Sequence, residues 1–320
     1  MEWTSIDTWI VITGAMVAMA CSIPGVFLLL SKQSMFGHGI VHSVLPGIII
    51  AFLITHSRDL TAVLIGATIA AVLTGILTQW VHRLGQVEEG ASLGVVFTSL
   101  FALGLLLIRV AVDTVHIDPD CVLFGLLETS VVDAVPFGEF PRVTRDASIT
   151  LAINLLLAGV FFKELRIATF DPGLAKALGF RPALINYGIM ITTAVTAVLA
   201  FESVGSILVI AMMIAPAATA FLLTNRLGIM LVFSLVSACL TALTGHVFSI
   251  TVPASVFNAI LGSEMIQSTN IAGGMSVMAG VWFLLALAFS PQKGLFAKWW
   301  NLRKLGKEPD NPFEQTPAAH

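Results

Sequence analysis

His38 and His42 stand four residues apart in a stretch running Phe36-Gly-His-Gly-Ile-Val-His-Ser-Val-Leu-Pro-Gly, which ends at Gly47 and opens a segment otherwise apolar as far as Thr55. On a helix, residues at this spacing lie one above the other on one face. Two imidazole nitrogens can then reach the same small ion. Pro46 and Gly47 fall within the same segment, and Pro46 cannot donate the backbone hydrogen bond that a regular helix expects. Inside a membrane, backbone groups freed in this way are tolerated only where protein or a water-filled cavity satisfies them. Paired ligands beside a helix break in an apolar span are what a metal passage needs. Two histidines hydrogen-bonded inside a helix bundle are the alternative, because ionisable residues within a membrane point to function but not to a metal in particular. His246 and Glu202 fall near the outer ends of later spans, where each is either a gate ligand or a satisfied interfacial residue.

The elements that must position these groups follow from composition. Of 320 residues, 57% are hydrophobic and only 11% charged, against about 25% charged in a soluble domain. The chain is therefore an integral membrane protein. Ten-residue segments of alternating polarity, the mark of a barrel, are absent. Apolar runs of about twenty residues recur instead, so the expected fold is all-α, a polytopic transmembrane bundle of eight or nine helices. Spans are read at about 8–30, 36–55, 60–81, 92–112, 147–163, 184–202, 205–224, 228–250 and 271–290. Residues 1–295 form the transmembrane domain, and 296–320 are expected as a polar, disordered cytoplasmic tail. Glu2 and Asp7 precede the first span where a signal peptide would carry basic residues, so that span is expected to stay as a membrane helix.

Charge sets the orientation. With the C-terminus in the cytoplasm, only Arg58, Arg109, Arg142 and Arg145 of the 16 basic residues lie outside and the other twelve inside. The N-terminus is then outside. A net charge of −3 gives no case for nucleic acid. Cys21, Cys121 and Cys239 make no disulfide framework.

Three loops carry further cues. The outer loop from Asp113 to Asp146 contains Asp113, His116, Asp118, Asp120 and Cys121, which attract cations to a pore mouth or simply form a solvated loop. In the inner loop from Lys163 to Pro182, Asp171 caps a short helix, Pro172 opens it and Gly179 ends it. Such an element suits docking by a soluble partner, with a plain surface helix as the alternative. The outer loop from Ile250 to Asn270 is too apolar to be fully solvated and is expected to lie on or dip into the outer face. Small-residue surfaces at Gly66–Gly75 and around Pro216 allow close helix approach.

Catalysis is poorly served. The chain has no Gly-x-x-x-x-Gly-Lys-Ser/Thr phosphate loop, so ATP hydrolysis by the usual route falls to another chain. His38-x-x-x-His42 also lacks the neighbouring glutamate of a zinc protease.

Six stretches in order resemble the membrane subunits of bacterial ABC importers for zinc, manganese and iron. They are His42-Ser-Val-Leu-Pro-Gly; Glu89-Gly-Ala-Ser-Leu-Gly-Val-Val-Phe with Leu100-Phe-Ala-Leu-Gly; Leu123-Phe-Gly; Phe170-Asp-Pro-Gly-Leu-Ala-Lys-Ala-Leu-Gly; Val204-Gly-Ser-Ile-Leu-Val with Pro216-Ala-Ala-Thr-Ala; and Ser290-Pro. The resemblance spans roughly residues 10–295. It implies a multi-pass permease of the bacterial inner membrane, paired with an identical or paralogous second permease. It also implies two cytoplasmic ATP-binding subunits and an extracytoplasmic metal-binding protein, with no permanently bound cofactor and a divalent metal ion as cargo. Its inner-loop helix docks on the ATPase, which carries over to Phe170, Asp171, Ala175, Ala177, Leu178 and Gly179. Its Asp-x-x-x-His pair on the second span touches the metal; here the histidine is His42, while His38 occupies the aspartate's place. Imidazole in place of carboxylate favours zinc over manganese. Two other classes compete: a permease for a metal chelate of siderophore or cobalamin type, which wants a wide path without ligands, and a membrane-embedded metal-dependent enzyme, which needs a third ligand and a base.

Overall fold

The computed structural model describes residues 3–55, 60–111, 141–261, 270–290 and 294. The acidic outer loop from Asp113 to Cys121, Leu123-Phe-Gly and the tail at 296–320 lie outside the described residues. Every element among the described residues is helical: α1 Ser5–Leu30, α2 Met35–Ser43, α3 Leu45–Thr55, α4 Leu60–Gly85, α5 Glu89–Ala111, α6 Arg142–Val160, α7 Phe162–Phe170, α8 Pro172–Ala177, α9 Pro182–Leu223, α10 Leu227–Leu261 and α11 Ile271–Phe289. Among the described residues, eight apolar helical stretches are long enough to cross a membrane, and Ile207–Leu223 is a shorter ninth.

α1 is the axis of one half of the bundle. It starts on a capping box in which Thr4 Oγ1 accepts from the Asp7 amide at 3.3 Å and the Asp7 carboxylate accepts from the Thr4 amide at 2.9 Å. It packs against α6, α9 and α10, and α11 closes on α9 and α10. Pro24 removes a donor from the middle of α1, which orphans the Ala20 carbonyl one turn earlier. Asn154 of α6 answers it: its Nδ2 donates to that carbonyl at 2.9 Å and to Thr196 Oγ1 of α9 at 2.9 Å. One buried amide thus repairs the proline and ties three helices. Beside it, a Cβ on Gly25 would run into the Met213 carbonyl, so only glycine lets α1 and α9 approach this closely.

The other half is α2 to α5. Here Gly47 of α3 and Gly66 of α4 meet backbone to backbone, and a Cβ on either would strike the other's carbonyl. The expected small-residue surface on α4 is thus a packing face, with Ala67, Ala70 and Ala71 buried in it. α9 touches both halves, reaching α1, α10 and α11 on one side and α2 and α4 on the other. It is broken at Gly205, where φ is +77°. Glycine alone adopts that conformation freely, and the break separates the two spans expected at 184–202 and 205–224.

One boundary differs from the sequence expectation. α10 continues to Leu261, so the stretch from Ile250 begins as helix rather than loop. Apolar residues are as compatible with a continued helix as with a surface loop. Cys21 and Cys239 are free thiols; Cys121 lies outside the described residues.

Candidate metal site

The second span is broken where the proline requires. α2 ends at Ser43, Val44 forms a turn, and α3 begins at Leu45 with Pro46 and Gly47 next in line. Pro46 has no N–H to give the His42 carbonyl, and none of the described residues donates to that oxygen in its place. Ser43 Oγ folds back onto the Ile40 carbonyl at 3.0 Å and lies 2.7 Å from Thr74 Oγ1, which fixes the end of α2 against α4.

On this short helix the rings of His38 and His42 stack along one face, their centroids 4.8 Å apart and their planes at 73°. Both side chains are half-buried. Phe97 of α5 lies 5.9 Å from His38 and 6.3 Å from His42, and Phe101 lies 5.7 Å from His42, ring centre to ring centre. Gly39 lets α2 close on α5, since a Cβ there would sit 2.8 Å from Leu93 Cδ1. Neither imidazole has a hydrogen-bond partner among the described residues. Two imidazoles that no described residue hydrogen-bonds therefore face an aromatic wall, and the His42 carbonyl is likewise unmet among the described residues. Such a set offers a cation partial coordination, with water completing the shell.

His246 is placed differently. It is fully buried on α10, with Nε2 3.1 Å from Asp7 Oδ1 and the edge of the Trp3 ring 5.5 Å away, centroid to centroid. Among the described residues, no three His, Cys, Asp or Glu side chains converge as a metal cluster, so His246 does not join the pair on α2. Glu202 lies in α9 three positions before the Gly205 break, and its side chain is outside the described residues. The residues missed in the sequence are Asp7, which partners His246 across 239 positions, and Phe97 and Phe101, which line the pair. Only the helical spacing of the two phenylalanines hinted at a shared face.

Gly90-Ala-Ser-Leu-Gly94 has the Gly-x-Ser-x-Gly spacing of a hydrolase nucleophile. Ser92, however, is buried within α5, and its Oγ donates to the Glu88 carbonyl at 3.0 Å. It lacks the exposed strand-to-helix turn that such a nucleophile needs.

The inner-loop element forms as its local signals require. Asp171 Oδ1 accepts from the Leu174 amide at 2.9 Å, Pro172 opens α8, and the Phe180 amide returns to the Ala175 carbonyl at 2.9 Å across Gly179 at φ +87°. Ala175 is fully buried beneath, whereas Ala177 is exposed and Phe170 and Leu178 are each 56% exposed. A hollow of about 800 Å³ lies between this element and the turn before α10, lined by Phe162, Arg166, Phe170, Leu174, Arg226 and Ile229.

The ABC 3 transport family matches residues 5–266. The zinc transport system membrane protein TroD of Treponema pallidum is 39% identical over 298 residues, covering 92% of this chain and 77% of that protein. The manganese transport system membrane protein MntD of Bacillus subtilis is 38% identical over 309 residues, covering 95% and 99%. Among solved structures, PsaBC from Streptococcus pneumoniae in complex with Fab superposes with a TM-score of 0.69 at 27% identity, covering 94% of this chain and 96% of that one. Matched along most of its length in both sequence and fold, the chain belongs to the ABC 3 transport family.

Proposed function

We propose that this chain is the membrane-spanning subunit of an ATP-driven importer of a divalent transition metal ion, with zinc or manganese favoured over iron by the names of its relatives. The observation that carries the reading is the His38–His42 pair, half-buried on a broken span and without a hydrogen bond among the described residues. Transport needs binding weak enough to release, and two nitrogens supplemented by water or the His42 carbonyl suit that better than a closed cage. A metal-dependent enzyme would need a third ligand and a base beside the pair, and the described residues gather no such cluster. A chelate permease would have no use for paired ligands in its path.

In this reading the ion arrives from an extracytoplasmic binding protein, and a second permease completes the path. Cytoplasmic ATP-binding subunits dock on α8 through Phe170, Ala177, Leu178 and Gly179, while Asp171 and Ala175 hold the element in shape. The chain sits in the bacterial cell membrane with its N-terminus outside. The test is accumulation of zinc, manganese and iron, supplied singly, in cells lacking other importers and carrying this chain with its partners. Accumulation that requires both this chain and ATP supports the reading, and none above background removes it. Replacing Ala177 and Gly179 by bulky residues should leave the protein inserted yet lower transport and ATPase stimulation together. In a background without native cysteines, Lys176→Cys should be shielded from an impermeant thiol reagent in intact cells while Arg142→Cys is labelled.

A further inference from the structure

A second cavity, about 380 Å³, lies away from the histidine pair, between α1, α6, α7 and α9. Its size falls in the range of small-molecule sites, about 300–1,000 Å³. Its depth is apolar, walled by Phe27 of α1, Leu157 of α6 and Ile189 of α9. Leu184 and Phe161 at its rim are exposed. Its polar side chains other than the α1–α6–α9 tie at Asn154 include Glu164 and Arg181, both just beyond the ends of apolar spans: α6 ends at Val160 and α9 begins at Pro182. Glu164 Oε2 is buried and has no hydrogen-bond partner among the described residues. Arg181 is exposed, and it forms no ion pair with Glu164 or any other described acid. A buried acceptor without a donor is costly, so a group from outside the described residues is suited to supply one.

We propose that the cavity binds one phosphatidylethanolamine molecule. An acyl chain fills the apolar depth at the level of the spans, the headgroup ammonium donates to Glu164 Oε2, and the phosphate takes the Arg181 guanidinium. The order of polarity, apolar within the span and then acid and base at its edge, matches a zwitterionic phospholipid end to end. A phosphatidylglycerol satisfies Arg181 but brings no cation to Glu164. A free fatty acid likewise pairs with Arg181 and brings no cation to Glu164.

The geometry supplies a variant that blocks the cavity without straining the fold. Gly188 lines it, and a Cβ there would meet nothing within 4 Å. Leucine at this position also suits a helix better than glycine. The experiment equilibrates the purified complex with vesicles of equal phosphatidylethanolamine and phosphatidylglycerol, then counts retained lipids by native mass spectrometry. The parent should retain ethanolamine lipid over glycerol lipid by about tenfold, and Glu164→Gln should erase that preference while phospholipid is still held. Gly188→Leu should cut retention of both classes about tenfold with an unchanged thermal midpoint. Equal retention of the two lipids by the parent, or unchanged retention in Gly188→Leu, overturns the proposal.

Discussion

His246 and the His38–His42 pair are imidazoles inside apolar helices, and the fold treats them in opposite ways. His246 is fully buried on α10, and its Nε2 faces the Asp7 carboxylate at 3.1 Å, at the first turn of α1. His38 and His42 are half-buried on α2, 4.8 Å apart ring to ring, with phenylalanines for neighbours and no hydrogen bond among the described residues. The backbone repeats the contrast. Pro24 orphans the Ala20 carbonyl and Asn154 answers it, whereas Pro46 orphans the His42 carbonyl and no described residue does. Buried polar groups in a membrane are met by protein wherever structure is their purpose. A pair of imidazoles and a carbonyl left unmet by the described residues on one short helix is the arrangement expected of groups that serve a passing ion.

Breaking the bond between His246 and Asp7 from either side should give the largest changes in stability. His246→Ala breaks a bond between α1 and α10, worth about 1.5–3 kcal/mol for a charge-assisted pair, and should lower the thermal midpoint while uptake per folded molecule stays near the parent's. Asp7→Ala should cost more, because it also removes the α1 cap. Uptake lost at an unchanged midpoint would make His246 a gate ligand and end the contrast.

Acid should act on the unmet pair. Protons compete with metal for imidazole, so uptake should fall as the outer pH is lowered from neutral. An uptake rate that stays flat as the pH is lowered would argue against imidazole ligands. At the repaired proline, Asn154→Leu should cost about 0.6–1.7 kcal/mol, the scale of hydrogen bonds between membrane helices, read as a lower thermal midpoint. If it costs nothing, the distinction between answered and unanswered prolines weakens. The smallest effect expected is a change of preference: His38→Asp should keep transport and shift selectivity toward manganese by about threefold, because a carboxylate is a harder ligand. Competition between zinc and manganese in the uptake assay measures it.

What the sequence made legible was local. The break at Pro46, the shared face of His38 and His42, and the Asp171–Gly179 helix with its cap, opening proline and closing glycine all depend on residues within one or two turns. Hydropathy gave the spans because each must cover the membrane by itself. What stayed hidden depends on the folded path of the chain. Asp7 and His246 are 239 positions apart, and Asn154 meets Ala20 across 134. No spacing rule reaches that far. The helical continuation of α10 past Ile250 went unread because apolar residues extend a helix as readily as they coat a surface loop.

Metal passing through this chain is expected to touch the unmet pair, and His42→Ala tests that contact. Cells lacking other importers, expressing the variant at the parent's level with its partners, would be supplied zinc, manganese and iron one at a time. The predicted result is loss of most accumulation, about tenfold or more, with normal membrane insertion and an unchanged thermal midpoint. Accumulation of all three metals at the parent's rate would contradict the account and make the His38–His42 pair a structural feature of α2.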